Sequence, residues 1–248
     1  MFDTRPSDST GLLFNLCERL GRQIMQPRDT YGYLLDRFTT HECRLQVSSI
    51  HQSHVNDWTL ISLKDVFLGR GEQIPSLRFK HKVRLAPVLA RSLLQLSPSS
   101  WLPDNLTSEH IVFIQRPSSA TTFYDCVYIS KCLPESRRSH KQKQERKLDL
   151  PFDYTKDEER LFYLGVLLME LVLGATWESI RNSATSSSDV DVAEECLPRI
   201  QAQGDHYYHA IRSCIKFEFL EPESDLDKAP FRQEVYDKVV GLLDDNLS

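Results

Sequence analysis

The sequence predicts an α+β fold that is mainly helical, and three observations support this prediction. Residues 161–173 contain a single charged residue in 13 positions, which is typical of a helix buried on nearly every side. Residues 79–96 carry apolar side chains at intervals of three and four, as an amphipathic helix requires. Residues 111–114 and 126–130 are short apolar stretches that indicate strands. We therefore expect one core helix, other helices packed around it, and a small sheet.

Both ends of the core helix carry capping signals. Thr155 is followed three residues later by Glu158, the spacing of a capping box, and Gly174 stands where a left-handed C-cap favours glycine. Glu170 is the one charge inside the apolar run. Because a buried carboxylate is costly without a partner, we expect Glu170 to be hydrogen-bonded or to lie at the edge of the core.

Pro87 lies in the middle of the amphipathic stretch. A proline inside a helix costs about 3 kcal/mol, so we expect a kink or a restart there.

Apolar spacing also predicts helices over residues 12–24, 207–219 and 231–242. Residues 31–35 and 43–47 read as strands, and residues 59–68 begin extended and then turn helical.

The composition is that of a soluble globular protein, with 40% hydrophobic and 26% charged residues. No apolar run approaches the roughly 20 residues that cross a bilayer, so we expect no membrane partner. A net charge of -5 argues against a general nucleic-acid binder. The six cysteines include no C-x-x-C pair, and no apolar leader precedes them. We therefore expect reduced thiols in an intracellular protein, cytoplasmic or nuclear.

Two polar stretches predict exposed loops. Residues 183–191 are rich in serine, and residues 137–147 contain six basic residues and no apolar one. Such a charge run is usually a solvated loop, and the alternative is a scaffold that binds acidic partners through it. The basic residues of this candidate interaction site are Arg137, Arg138, Lys141, Lys143, Arg146 and Lys147.

Three blocks of the sequence resemble the C-terminal lobe of protein kinases. Where the kinase catalytic loop reads His-Arg-Asp-Leu-Lys-x-x-Asn, residues 103–110 read Pro-Asp-Asn-Leu-Thr-Ser-Glu-His. Residues 127–130 are similar to the strand before the kinase Asp-Phe-Gly motif, and residues 164–171 to the central kinase helix. The resemblance implies a kinase-like C-terminal lobe over residues 59–248 and a reduced N-terminal lobe over residues 1–58.

More narrowly, the chain resembles a fungal kinase-like domain of unknown function. That domain occurs alone or attached to HeLo-type domains of heterokaryon-incompatibility and prion-propagation proteins. The matching segments are residues 90–96, 100–102, 161–171, 214–219 and 231–240. The resemblance implies an interaction or regulatory module in fungal self/non-self recognition, with an unknown protein as partner.

The matched positions have lost the residues that phosphoryl transfer needs. Kinases require a residue that positions the attacking hydroxyl and oxygen ligands for Mg²⁺. Asn105 stands at the place of the catalytic aspartate, Thr107 at that of the lysine and His110 at that of the metal-binding asparagine. Lys131 stands where the main metal-binding aspartate belongs, and a cation there repels Mg²⁺. The resemblance therefore implies a pseudokinase without cofactor or metal.

Two carboxylates leave an enzymatic alternative open. Asp104 lies beside the matched position of the catalytic aspartate, and Asp125 precedes the second predicted strand. If both pointed into one cleft, the chain would be an unconventional phosphotransferase. A shift of one residue turns a strand side chain to the opposite face, which favours the inactive interpretation.

His206 and His209 share a helical face without an evident third ligand, so we interpret them as surface histidines.

Overall fold

The computed structural model describes residues 30–36, 43–48, 59–70, 74–97, 99, 102–115, 123–130, 147–151 and 153–245. The chain forms two compact units, Met1–Trp58 and Thr59–Ser248. The helix predicted over residues 12–24 lies outside the described residues.

The described part of the first unit is a pair of antiparallel strands. β1 (Thr30–Asp36) pairs with β2 (Cys43–Ser48), and Leu34 stands opposite Leu45. The two strands predicted in this region are therefore confirmed.

The second unit is mainly helical with a small antiparallel sheet, which confirms the predicted α+β, mainly helical class. Its elements in chain order are β3 (Thr59–Ser62), α1 (Leu63–Phe67), α2 (Phe79–Leu96), β4 (Ile111–Gln115), β5 (Tyr128–Ile129), α3 (Lys156–Leu173), α4 (Trp177–Ser183), α5 (Asp189–Gln201), α6 (Asp205–Lys216), α7 (Ala229–Val235), a π-helical segment (Tyr236–Gly241) and α8 (Leu242–Asp245).

The sheet of the second unit has the strand order β3-β4-β5, with both pairs antiparallel. Ile61 stands opposite Phe113, and both side chains are buried in the core. Val112 stands opposite Tyr128 on the other face, because successive strand residues point to opposite sides. The strand predicted over residues 126–130 is shorter than expected, since only Tyr128 and Ile129 extend the ladder.

The core helix α3 begins and ends where the sequence predicted. Thr155 Oγ1 accepts a hydrogen bond from the Glu158 N–H at 3.2 Å, and Glu158 Oε2 accepts one from the Thr155 N–H at 2.7 Å. Gly174 ends the helix with φ +69°. Residues 161–172 are all buried. Among the described residues no single helix is long and apolar enough to cross a membrane, and α3 with α4 meets that criterion only as a pair bent by 82°.

At Gly165 the helices α3 and α6 lie close together. A Cβ atom placed on Gly165 would lie 2.7 Å from Ile215 Cδ1 and 3.1 Å from Cys214 Cβ. Real Cβ atoms essentially never come that close to a neighbour. The absence of a side chain at Gly165 therefore sets how tightly these two helices pack.

Pro87 does not divide α2, so of the predicted kink or restart the restart is wrong. The helix runs unbroken from Phe79 to Leu96, and Pro87 is buried within it together with Val83, Ala86 and Ala90. Burial of this apolar face stabilises the helix across the proline. Packing of an amphipathic face commonly outweighs intrinsic propensity in this way.

The exposed loop predicted over residues 183–191 is wrong at its C-terminal end. Ser188 caps α5, and Asp189 is 0% exposed. Its carboxylate accepts hydrogen bonds from Trp177 Nε1 at 2.9 Å and from the Asp149 N–H at 2.8 Å, and it pairs with Arg181 at 3.1 Å. These donors satisfy the buried charge, which is what burial of a carboxylate requires.

The two C-terminal helices differ from their predicted bounds. The helix predicted over residues 207–219 is α6, and it ends before Phe217, which adopts φ 49°. The helix predicted over residues 231–242 is interrupted by the π-helical segment, whose residues Val239 and Val240 are buried. The apolar spacing identified both helices but not the change in backbone geometry.

Candidate functional site

The loop between α2 and β4 carries the residues that the sequence matched to the kinase catalytic loop. Asn105, Thr107 and His110 line one cavity of about 40 Å³. The structure therefore brings these three sequence-predicted residues together. Other parts of the second unit complete the wall, chiefly through Lys64, Tyr163, Glu170, Trp177 and Glu178.

His110 braces the turn of its own loop. Its Nδ1 accepts a hydrogen bond from the Thr107 N–H at 3.2 Å and lies 3.0 Å from Thr107 Oγ1. The His110 N–H donates in turn to the Thr107 carbonyl at 2.9 Å. Because Nδ1 acts as acceptor, the proton of the neutral ring lies on Nε2. The His110 carbonyl also accepts from the Ser130 N–H at 2.7 Å, which ties the loop to the end of β5.

Glu170 is a buried carboxyl that joins three parts of the second unit. Its side chain projects from α3, and Oε1 accepts hydrogen bonds from Ser108 Oγ at 3.1 Å and from the Trp177 N–H at 2.6 Å. Within the described residues, Oε2 accepts none. Glu170 is 3% exposed, and burial raises its pKa to about 7, although these two hydrogen bonds oppose the shift. The partner that the sequence required for this charge is therefore the Ser108 loop and the start of α4.

Lys64 lies at the mouth of the cavity between two carboxylates. Its Nζ is 2.7 Å from Glu109 Oε1 and 2.9 Å from Glu178 Oε1. Burial by itself lowers the pKa of Lys64, but the two carboxylates outweigh burial and the net shift is upward. The Lys64 N–H also donates to the Ser108 carbonyl at 3.1 Å. The ammonium group therefore links α1, the loop and α4 on the outer side of Glu170.

A wider cleft of about 460 Å³ adjoins this ion-pair cluster and shares its three charged residues. Ser62, Asp65, Arg70 and Thr176 contribute to the wall of the cleft. Asp65 is already used within α1, because it accepts a hydrogen bond from Ser62 Oγ at 2.6 Å. The cleft presents more carboxylates than cations, so it disfavours a polyanionic ligand.

Asp104 and Asp125 each have a cationic partner on a different helix. Asp104 Oδ1 is 3.0 Å from Lys156 Nζ at the start of α3 and 4.0 Å from Arg160 Nη2. Asp125 Oδ1 is 3.9 Å from Arg84 Nη1 on α2. Both carboxylates are mostly exposed, at 71% and 51% of their side-chain surface. Neither residue lines the 40 Å³ cavity or the adjoining cleft.

Most of the basic run lies outside the described residues, and so does Lys131. Lys147, its last member, is exposed. The chain that follows is held by two backbone hydrogen bonds, from the Leu148 N–H to Tyr163 Oη and from the Asp149 N–H to Asp189 Oδ2, both at 2.8 Å. The segment immediately after the basic run is therefore fixed to the core helix and to α5.

A family model described as "Domain of unknown function (DUF7580)" matches residues 3–248. The chain belongs to this family. A comparison with curated proteins finds no match.

The described part of this DUF7580 domain contains no group of three or more histidine, cysteine, aspartate or glutamate residues able to hold a metal ion. His206 and His209 are exposed on α6, as expected of surface histidines.

Sequence reasoning missed the partners of Glu170 in the DUF7580 domain. Ser108 is 62 residues away along the chain, and Lys64 reaches Glu178 over 114 residues. The one available signal was the single charge in the apolar run of α3, which required a partner without specifying it. Pairings over such separations are set by the tertiary fold and leave no local periodicity to detect.

Proposed function

We propose that this chain is a catalytically inactive kinase-like module that acts inside the cell by binding a protein partner. The proposal draws on the resemblance of residues 93–113, 127–130 and 164–171 to a kinase C-terminal lobe. It also draws on what the matched residues do in the folded chain. The module belongs, on the narrower resemblance, to the fungal domains associated with HeLo-type proteins of self/non-self recognition.

The observation that carries the proposal is the hydrogen bonding of His110. At the position matched to a metal-binding amide, this side chain uses Nδ1 to accept from Thr107 in its own loop. Imidazole is in any case a poor ligand for Mg²⁺, which prefers oxygen. Asn105 beside it cannot accept the proton of an attacking hydroxyl, because an amide has no basic group in the accessible pH range.

The dimensions of the cavity favour the same conclusion. A volume of about 40 Å³ holds a few water molecules, whereas sites for small molecules and cofactors usually span roughly 300–1,000 Å³. The adjoining cleft is larger, but Asp65, Glu109 and Glu178 lie in its wall. These three carboxylates outnumber the two cations of the wall, Lys64 and Arg70, and the net negative charge disfavours the phosphates of a nucleotide.

Incubation of the full chain with Mg-ATP tests the proposal directly. We expect an unchanged melting temperature and no phosphoryl transfer to generic protein substrates. Turnover that disappears in Asp104→Ala or Asp125→Ala would contradict the proposal and establish the unconventional phosphotransferase instead. A raised melting temperature without turnover would show nucleotide binding, and the cavity argument would then be wrong.

The partner is tested by titrating the full chain with a purified fungal HeLo-type domain. Saturable binding by calorimetry supports the proposed association, and no binding contradicts this part of the proposal. If the basic run is the contact surface, raised salt weakens binding steeply. Replacement of Arg137, Arg138, Lys141 and Lys143 by glutamine would then remove the salt dependence, and an unchanged salt dependence would exclude the basic run as the contact surface.

A further inference from the structure

A second cavity, of about 170 Å³, lies where the start of α2 meets the ends of α3 and α5. It is separate from the cavity at Glu170 and shares no residue with it. Its wall combines apolar side chains with one cation and one amide: Leu77, Phe79, Lys82, Val172, Gln203 and Tyr207.

Lys82 is the charged residue in the wall of this cavity. Its Nζ donates a hydrogen bond to the Val172 carbonyl at 2.9 Å. That carbonyl belongs to the last turn of α3, where carbonyl groups lack helical partners. No carboxylate of the described residues pairs with Lys82, and burial lowers its pKa. With respect to the described residues, Lys82 Nζ therefore has two of its three N–H donors available for a ligand.

The remainder of the wall suits an apolar ring. Tyr207 is buried and Leu77 is partly buried, whereas Phe79 is 60% exposed at the rim. A cavity of about 150 Å³ lined by apolar side chains is large enough to bind benzene, so a volume of about 170 Å³ accommodates a single ring. An aromatic side chain left exposed beside a cavity also gains buried area when the cavity is filled.

The C-terminus of α3 influences which anion can bind beside Lys82. A helix C-terminus carries a partial negative charge, and Val172 lies next to the last residue of α3. A singly charged carboxylate is therefore favoured over a phosphate, which carries up to two charges at neutral pH. A neutral ligand would leave the ammonium without a counter-charge.

We propose that this cavity binds a benzene-sized apolar group that carries a carboxylate. The carboxylate lies on the Lys82 ammonium, and the ring lies against Leu77, Phe79 and Tyr207. This chemistry is shared by small aromatic acids and by the C-terminal phenylalanine of another protein. The site stands on its own geometry, and it does not depend on the kinase resemblance or on the proposed function.

Four ligands titrated into the full chain by calorimetry test the site. They are 3-phenylpropionate, its amide, a short peptide that ends in phenylalanine with a free carboxylate, and the same peptide with an amidated end. We expect each acid to bind at least about tenfold more tightly than its amide, the usual scale of one charge-assisted contact. The acid with the higher affinity identifies the source of the ligand. Equal affinities for acids and amides, or no saturable binding of either acid, would overturn the proposal.

Variants localise the binding. Lys82→Met should weaken acid binding about tenfold, whereas Lys80→Met, an exposed lysine on the same helix, should leave it unchanged. Phe79→Ala should also weaken binding while preserving the fold, since this side chain is mostly exposed. If Lys82→Met fails to fold, the Phe79→Ala result and the ratio of acid to amide affinity in the original chain still test the proposal. Equal losses in Lys80→Met and Lys82→Met would refute the assignment of the carboxylate to Lys82.

Discussion

The contacts around Gly165 and those around Glu170 lie within two turns of the same buried helix, yet they differ in kind. At Gly165 α3 lies so close to Ile215 and Cys214 of α6 that an added methyl group would have to displace them. At Glu170 a carboxyl, its two donors and a cavity of about 40 Å³ occupy the interior. One uniformly buried helix therefore provides both an apolar packing surface, at Gly165, and a hydrogen-bonded polar side chain, at Glu170.

Trp177 extends the polar region beyond Glu170. Its backbone N–H donates to Glu170, and its indole Nε1 donates to Asp189 at 2.9 Å. One residue therefore satisfies two buried carboxyl groups from different elements. Buried polar groups that are fully hydrogen-bonded fix a single arrangement, whereas loss of one member leaves the others unpaired.

The largest expected effect is the loss of Asp189. Asp189→Ala leaves the Trp177 indole, the Asp149 N–H and the Arg181 guanidinium without their acceptor. We expect a loss of about 3–5 kcal/mol in the free energy of unfolding, as when one partner of a buried ion pair is removed. Urea denaturation measures it. The matched variant Asp191→Ala changes an exposed carboxylate on the same helix and should cost about 1 kcal/mol or less; equal losses would show that the buried contacts contribute little.

Glu170→Gln should change how stability depends on pH. The folded-state pKa of about 7 lies above the ordinary value of 4.5. The contribution of Glu170 to the free energy of unfolding is therefore complete below pH 4.5 and is lost as the pH rises through 7. Glutamine removes this loss, which amounts to about 3 kcal/mol, so the variant should be more stable than the original chain at pH 8 but not at pH 4.5.

Thermal melts of both proteins across this pH range measure the difference. Glu221→Gln, which neutralises an exposed carboxylate, serves as the control and should follow the original chain. A Glu170→Gln curve parallel to that of the original chain would mean that Glu170 does not titrate near neutral pH.

Gly165→Ala should lower the free energy of unfolding by about 1–2 kcal/mol, because it disturbs the apolar contact between α3 and α6. The added methyl overpacks the α3–α6 contact, which typically costs about 1–3 kcal/mol, and a gain of up to about 1 kcal/mol in helix propensity offsets part of it. The additional change Ile215→Val removes Cδ1, the atom at 2.7 Å, and should restore part of the loss.

Gly241→Ala is the matched control for this substitution. The nearest atom to its added methyl is the Tyr236 carbonyl oxygen at 3.6 Å, so we expect stability to stay constant or rise. If Gly165→Ala were as stable as Gly241→Ala by chemical denaturation, close packing would not explain the glycine in α3.

The smallest expected effect is at the solvent side of the polar region. Lys64→Met removes a partly exposed ammonium from Glu109 and Glu178, and such pairs contribute about 0.2–1 kcal/mol. The loss should shrink at high salt, because screening weakens exposed ion pairs. Melting temperatures in low and high salt measure it, and a salt-independent loss would indicate a packing role for the Lys64 side chain.

The sequence predicted the fold correctly where a structural feature depends only on residues close together in the chain. The capping residues Thr155 and Glu158 and the glycine at the end of α3 identified the core helix with its bounds. The restart considered at Pro87 is wrong because the proline penalty is local, while the burial that offsets it comes from contacts with other helices. Asp189 was misjudged because a serine-rich, acidic stretch looks exposed unless the donors that meet it are known.

Three residues of the candidate site were predicted from the sequence, but its other residues and its geometry were not. Asn105, Thr107 and His110 were singled out from the sequence, and they line one cavity. The role of His110 in bracing its own loop depends on a backbone turn that residue identity does not specify. The ion-pair partners of Lys64 come from elements far apart in the chain, and no spacing rule connects them.

By itself the sequence determined which helix is the core, where that helix begins and ends, and that its single charge needs a partner, and it identified α2, α6 and the strands. These follow from periodicity, capping and the cost of an unpaired charge, all of which act over a few residues. Only the tertiary structure decided that Ser108 and Trp177 meet Glu170, that α6 packs onto Gly165, and that Lys82 lines a cavity together with Phe79 and Tyr207. Those outcomes depend on how distant segments fill a shared volume, and local sequence does not encode that.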